Sequence, residues 1–131
     1  MNSSRQFLAS TINPRLAYVG LGNIGLPVAR NLTTYPSVGK LRVWNRSQDK
    51  YALIRDAEGV KLIDDLFVDL DGETIVVFTS FPNDQVALEI YGDLYRAAGS
   101  VKEVSKVIFV DQSTLHPDTS SQLALLPWLR H

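Results

Sequence analysis

Apolar runs and amphipathic stretches alternate along this chain five times. Arg15 to Val19 alternates and then becomes wholly apolar, a strand pattern that ends at Gly20. Helical spacing follows from about Ile24 to Leu32, with Pro27 in the first turn, where a missing amide donor costs nothing and the fixed φ favours helix. Thr33-Thr34-Tyr35-Pro36-Ser37 breaks that helix, and Leu41-Arg42-Val43-Trp44 reads as a second strand. Ser47, with Lys50 three residues later, opens a short helix through about Glu58 that Gly59 closes as a C-terminal cap. Val60-Lys61-Leu62 reads as a short third strand. Asp64 to Leu70 then places Leu66, Phe67 and Leu70 at helical spacing before an Asp71-Gly72 turn.

Thr74 to Thr79 lacks polar alternation, the mark of a strand covered on both faces in a parallel sheet. Asn83 caps the next helix, which carries Val86, Ile90, Leu94 and Ala97 on one face. Lys106 to Val110 is the fifth strand, and Pro117 starts a last helix that Pro127 is expected to end. Strand and helix in strict alternation predict an α/β fold with a doubly wound parallel sheet. The 131 residues suit one core: a flexible leader over 1–14, a folded domain over 15–126 and a short tail over 127–131.

Composition mostly excludes. A formal charge of −1 gives no pull toward nucleic acid or an anionic membrane, and no apolar run approaches the roughly 18 residues of a membrane-spanning helix. With no cysteine there is no disulfide framework, thiol nucleophile or thiolate metal site. Asp64, Asp65, Asp69 and Asp71 match no calcium loop and have no histidine beside them, so they read as a solvated face and no metal is expected. Ser113 and His116 lack the strand-turn Gly-x-Ser-x-Gly setting of a hydrolase. The leader contains Ser, Thr and Arg5 but no acid, a weak echo of an organelle presequence; the expectation is a cytoplasmic protein, with a mitochondrial one as the alternative.

Charge distribution says more than charge balance. Arg5, Arg15, Arg30, Lys40, Arg42 and Arg46 all precede the first acidic residue, Asp49. The half of the chain that carries the glycines thus has a locally positive field suited to a phosphate-bearing ligand, although, Arg46 apart, a solvated basic surface explains these charges equally well.

Gly20-Leu21-Gly22-Asn23-Ile24-Gly25 sits between the first strand and the first helix, the setting that makes a Gly-x-Gly-x-x-Gly pattern a dinucleotide fingerprint. Gly20 permits the tight turn, Gly22 lets the backbone approach a pyrophosphate, and Gly25 lets the helix pack closely. The amides of Asn23 and Ile24 face the phosphates at the helix N-terminus. The second strand ends beside the adenosine ribose, where an NAD-selective site carries Asp or Glu. Here the chain reads Asn45-Arg46-Ser47: a neutral amide, a guanidinium able to grip phosphate or stack on adenine, and a hydroxyl donor. NADP is therefore the expected cofactor, with NAD as the alternative.

These stretches resemble the β-hydroxyacid dehydrogenase family, which includes 3-hydroxyisobutyrate dehydrogenase, 6-phosphogluconate dehydrogenase and NADPH-dependent short-chain aldehyde and glyoxylate reductases. Gly20 to Leu32 is similar to the family's Gly-Leu-Gly-x-Met-Gly-x-x-Met-Ala-x-Asn-Leu, with Ile24 and Val28 in place of methionines. Val43 to Ser47 resembles its NADP-type second-strand end. Val77 to Asp84 resembles the fourth-strand loop along the cofactor, with Phe81 where Leu or Val is usual, next to Pro82. Val110 to Pro117 resembles its Asp-x-Ser-Thr-x-x-Pro segment.

The resemblance implies a Rossmann-type dinucleotide-binding domain, a substrate-carboxylate contact for Ser113 and a place near the nicotinamide for Thr114. It further implies hydride transfer between NADP and a small 3-hydroxy acid or aldehyde. The family's catalytic lysine lies in a Gly-x-x-Gly-x-Gly-x-x-x-Lys segment of a second, helical domain, and nothing in this sequence matches it. No catalytic residue is therefore assigned, and binding of a hydroxy acid or aldehyde is expected only where a second domain is supplied. A non-catalytic NADP(H) sensor or interaction module is the alternative. Leu123, Leu125, Leu126, Trp128 and Leu129 are expected to expose apolar surface and favour self-association.

Overall fold

The computed structural model describes residues 14–55, 57–70, 72–100 and 106–129. Most of the leader, Arg5 with it, and Asp71 of the expected Asp71-Gly72 turn lie outside the described residues, as do the side chains of Leu126, Trp128 and Leu129.

The described residues form strands β1 (Arg15–Val19), β2 (Leu41–Trp44), β3 (Ala57–Val60), β4 (Thr74–Thr79) and β5 (Lys106–Asp111). They pair in the order β3-β2-β1-β4-β5, and every pairing is parallel. Parallel neighbours cannot be joined by tight hairpins, so the chain must cross over the sheet between strands. Helices α1 (Gly25–Leu32), α2 (Asp84–Ala98) and α3 (Pro117–Leu129) occur along those crossovers and after β5. The chain adopts the expected Rossmann-type α/β architecture.

Side chains alternate across the sheet, and each face has its own core. Ala17, Val19, Ile75 and Val77 pack with Ile90, Tyr91 and Leu94 of α2 and with Leu123 of α3. Tyr91 lies at the centre of this layer, its ring 5.6 Å from Phe81 and 5.7 Å from Phe109. On the other face Tyr18, Leu41 and Val43 meet Leu21 and Ala29, and Tyr18 stacks on Phe78. This double cover explains the absence of polar alternation in β4. It lapses at the sheet's edge, where Val107 and Phe109 pack inward but Ile108 and Val110 on the opposite face stay 41% and 38% exposed.

Several local expectations are corrected. No helix runs from Ser47 to Glu58: a 3₁₀ segment covers Gln48–Leu53, and β3 has begun by Ala57. Gly59, at φ 106°, lies inside that strand and caps nothing, at a point where the β2–β3 register shifts between Leu41↔Ala57 and Val43↔Val60. The third strand thus precedes the expected Val60–Leu62. Ser47 flanks the 3₁₀ segment without a side-chain capping bond.

The stretch Asp64 to Leu70 is likewise no helix; only Ile63–Asp65 forms a 3₁₀ turn. Leu66, Phe67 and Leu70 are buried as their spacing suggests, but the backbone around them has a different partner. Arg42, read equally as part of a positive field for a phosphate or of a solvated surface, is only 5% exposed, and its guanidinium donates to the carbonyls of Leu66 and Val68 at 2.9 and 2.6 Å. Other members of the basic set also have structural partners: Arg15 pairs with Glu73 at 2.9 Å, and Arg30 donates to the Leu53 carbonyl at 2.7 Å.

Pro127 does not end the last helix, which continues to Leu129. A proline there cannot donate to the carbonyl of Leu123 four residues earlier. The Tyr95 hydroxyl of α2 donates to that carbonyl instead, at 3.0 Å. Leu123 itself is buried, whereas Leu125 is 55% exposed, so the expected apolar segment is divided between core and surface.

Replacing Arg42 by Met keeps an apolar stem but strands two carbonyls that now accept charge-assisted bonds. Arg42→Met is expected to lower unfolding stability by about 1.5–3 kcal/mol, read as a shift in the urea midpoint. An unchanged midpoint would show that these carbonyls have other means of satisfaction.

Candidate functional site

In this sheet the chain leaves β1 toward β2 on one side, while β4 flanks β1 on the other. At such a reversal of strand order the loops diverge and a crevice opens beyond the carboxyl ends of the strands. A cavity of about 510 Å³ lies there, in the range typical of small-molecule sites. It is lined by Gly20 to Ile24 after β1, Trp44 to Ser47 around the end of β2, Ser80 to Pro82 after β4, and Ser113 and Thr114 after β5. All the residues singled out from the sequence line it except Gly25.

Gly25 is needed one layer deeper. A Cβ there would collide with the Gly20 carbonyl and press on the Tyr18 ring, and a Cβ at Gly20, whose φ is 100°, would collide with the Ser80 carbonyl. These two glycines let the turn lie against the helix on one side and the end of β4 on the other. Gly22 differs, because a Cβ there would meet nothing within 4 Å. Ile24 is the N-cap of α1 and Gly25 its first residue, positions whose amides lack intrahelical acceptors, while Leu26 donates to the Gly22 carbonyl at 3.0 Å. Asn23 and Ile24 are exposed, in keeping with amides that face the cavity mouth. Leu21 forms wall only: its side chain is buried and its amide donates to Asn45 Oδ1 at 2.7 Å.

That bond gives Asn45 an internal role. Besides accepting from Leu21, its Nδ2 donates to the Ser47 carbonyl at 2.7 Å, and its backbone amide donates to the Tyr51 hydroxyl at 2.6 Å. The side chain clamps the glycine turn to the end of β2 and shapes the loop that presents Arg46 and Ser47. Arg46 is solvent-exposed and donates through Nη2 to Glu89 Oε2 of α2 at 2.9 Å, spanning from the β2 loop to that helix. This hydrogen bond holds the Glu89 carboxyl below its usual pKa, helped by one from Gln85.

The ends of β4 and β5 are joined by a chain of hydroxyls that ends on a carboxylate. The buried Tyr91 hydroxyl bonds Thr79 Oγ1, which donates to Asp111 Oδ2 at 2.7 Å. Because the carboxylate accepts from Thr79, Tyr91 is the donor in the first bond, and burial holds its phenol well above the ordinary range. Asp111 Oδ1 accepts the Ser113 amide at 2.7 Å, and Ser113 Oγ accepts the Phe81 amide at 2.7 Å while lying 3.3 Å from Asp111 Oδ2. Asp111 therefore sets the position of Ser113. His116 has other partners than Ser113: its Nδ1 accepts the Asp118 amide at 3.1 Å at the start of α3, and its own amide donates to Asp84 at 3.3 Å.

Sequence reasoning missed several members of the site. Lys50 and Val86 also line the cavity. Lys50 had a signal in its place four residues beyond Arg46, but Glu89 and Tyr91 become neighbours of Arg46 and Asp111 only when α2 docks on the sheet. Among the described residues no group of three or more metal-ligating side chains gathers. No described helix is long and apolar enough to cross a membrane.

Comparison with known proteins places this geometry in a wider set. Residues 15–126 match the family described as the NAD binding domain of 6-phosphogluconate dehydrogenase. Among solved structures the fold is similar to that of an imine reductase from Pseudomonas sp., with TM-score 0.59 and 20% identity over 85% of this chain and 36% of that one. It is also similar to a protein described as an oxidoreductase from Pseudomonas putida KT2440, with TM-score 0.65 and 19% identity over 88% of this chain and 36% of that one. The chain thus spans 36% of the length of each of these two structures. No curated protein matches it.

The Tyr91–Thr79–Asp111 chain yields a stability test. Thr79→Val removes the acceptor of a buried phenol and one donor to the carboxylate, and is expected to cost about 1–3 kcal/mol in urea unfolding. Adding Tyr91→Phe should then cost less than Tyr91→Phe does alone, because the phenol has already lost its partner. Additive losses would argue against a connected chain.

Proposed function

The chain belongs to the family of the NAD binding domain of 6-phosphogluconate dehydrogenase, a nicotinamide-dinucleotide-binding domain, and from that premise we propose that it binds NADP(H) as part of an oxidoreductase. The observation that carries the reading is the loop after β2. There Asn45 is neutral and occupied internally, whereas the Arg46 guanidinium and the Ser47 hydroxyl lie at the cavity wall with no Asp or Glu among the loop's own residues. An adenosine 2′-phosphate needs such donors, and Arg can meet it with a planar fork.

The rest of the cavity suits a dinucleotide diphosphate. The space beside Gly22 is open to a close backbone approach, and the α1 N-terminus offers amides and the positive end of its dipole. Phe81, Pro82 and Thr114 extend the wall past the end of β4 toward β5, where the nicotinamide would lie. Bound there, the cofactor supplies the hydride donor or acceptor. Ser113 meets a substrate carboxylate by turning its proton away from Asp111, which at 3.3 Å is the longest and weakest bond of that cluster. The substrate class in this reading is a small 3-hydroxy acid or aldehyde.

Glu89, 2.9 Å from Arg46, favours NAD instead, because a carboxylate near the ribose opposes a 2′-phosphate. Parallel calorimetric titrations separate the two cofactors. Arg46→Ala is expected to weaken NADPH binding about 10- to 150-fold, the loss of one charge-assisted contact of roughly 1.5–3 kcal/mol, and to leave NADH affinity nearly unchanged. Equal losses for both would exclude Arg46 as the 2′-phosphate ligand.

A further inference from the structure

Arg46 is shared between two requirements. Its Nη2 is bonded to Glu89 Oε2 at 2.9 Å, and both side chains remain about half exposed. Glu89 is in turn held by Gln85 one helical turn earlier, at 3.3 Å. The ion pair borders a second hollow along the first turns of α2, which shares Arg46 and Thr114 with the main cavity and is also lined by Glu89 and Asp84. Any phosphate ester that reaches the guanidinium from the main cavity approaches this acidic flank.

We propose that Glu89 is a specificity-determining residue: its carboxylate competes with an adenosine 2′-phosphate for Arg46 and so restrains the preference for 2′-phosphorylated over unphosphorylated adenosine ligands. The inference rests on the reading of Arg46 as the 2′-phosphate ligand. Arginine has five donors and Glu89 engages one of them, so a phosphate can bind without breaking the pair outright. It must still lie near a carboxylate that is fully ionised at neutral pH, and the guanidinium must turn to serve both anions. An exposed ion pair is worth only a fewfold in an equilibrium constant. Adding the carboxylate–phosphate repulsion, screened over roughly 10 Å at about 0.1 M salt, makes the combined restraint about 3- to 10-fold.

The test uses the whole chain with 2′,5′-ADP and 5′-AMP as probes, titrated by calorimetry at about 0.1 M salt. Glu89→Gln is expected to tighten 2′,5′-ADP binding about 3- to 10-fold and to change 5′-AMP binding less than twofold. Glu89→Ala should do the same without offering a new amide partner to Arg46. Unchanged or weaker 2′,5′-ADP binding in both variants would overturn the proposal, the weaker case meaning that Glu89 helps to aim Arg46. Arg46→Ala keeps the two readings apart. If it loses 2′,5′-ADP affinity while the Glu89 variants gain none, only the role of Glu89 fails; if it loses nothing, the 2′-phosphate reading fails and this inference with it.

Discussion

The site depends on a close approach of three pieces of backbone. The turn after β1 lies against the Ser80 carbonyl on one side and the start of α1 on the other, so closely that neither Gly20 nor Gly25 has room for a Cβ. This contact lets α1 start directly at the sheet's carboxyl edge, beside the crevice. A methyl group at either position would push the helix off β1 or the turn off β4, and the cavity would lose its floor. Hydrophobic burial then stabilises the arrangement from both faces, through Tyr18 packed with Ala29 of α1 and through Val19 and Val77 packed with Tyr91 of α2.

Around that contact the polar residues divide into those that build the crevice and those that face it. Asn45 spends its amide on Leu21 and Ser47, Asp111 spends its carboxylate on Thr79 and Ser113, and Arg42 spends its guanidinium on a loop beneath the sheet. Each is a polar group whose bonds hold loops in place, and for the buried Arg42 such bonds are what burial of a polar group requires. Arg46, Ser47 and Thr114 remain at the wall. The difference is one of hydrogen-bond supply, since residue type alone does not separate a buried arginine from one that can meet a ligand.

The reach of the sequence differs from element to element. The hydrophobic pattern located β1, β2, β4 and β5, most plainly β4, where cover on both faces of a parallel sheet gives a run without polar alternation. The glycine turn was legible because its steric demands admit so few residues. The segments between β2 and β4 were not, because their backbone follows distant partners: Ala57 pairs with Leu41, and the carbonyls of Leu66 and Val68 turn toward Arg42. Pro127 misleads for the same reason, since the carbonyl it leaves without a helical donor is met by Tyr95 from another helix.

By itself the sequence determined the fold class and the segments that line the crevice, because local steric limits and hydrophobic period act on neighbouring residues and need nothing from afar. Only the tertiary structure decided what the charges do. Whether Arg42, Arg46 or Asp111 meets a carbonyl, a carboxylate, a hydroxyl or a ligand depends on which partner lies within about 3 Å, a distance over which hydrogen bonds form or fail. Residues 42 and 66, 46 and 89, and 79 and 111 come that close only once the sheet has assembled and α2 has docked against it.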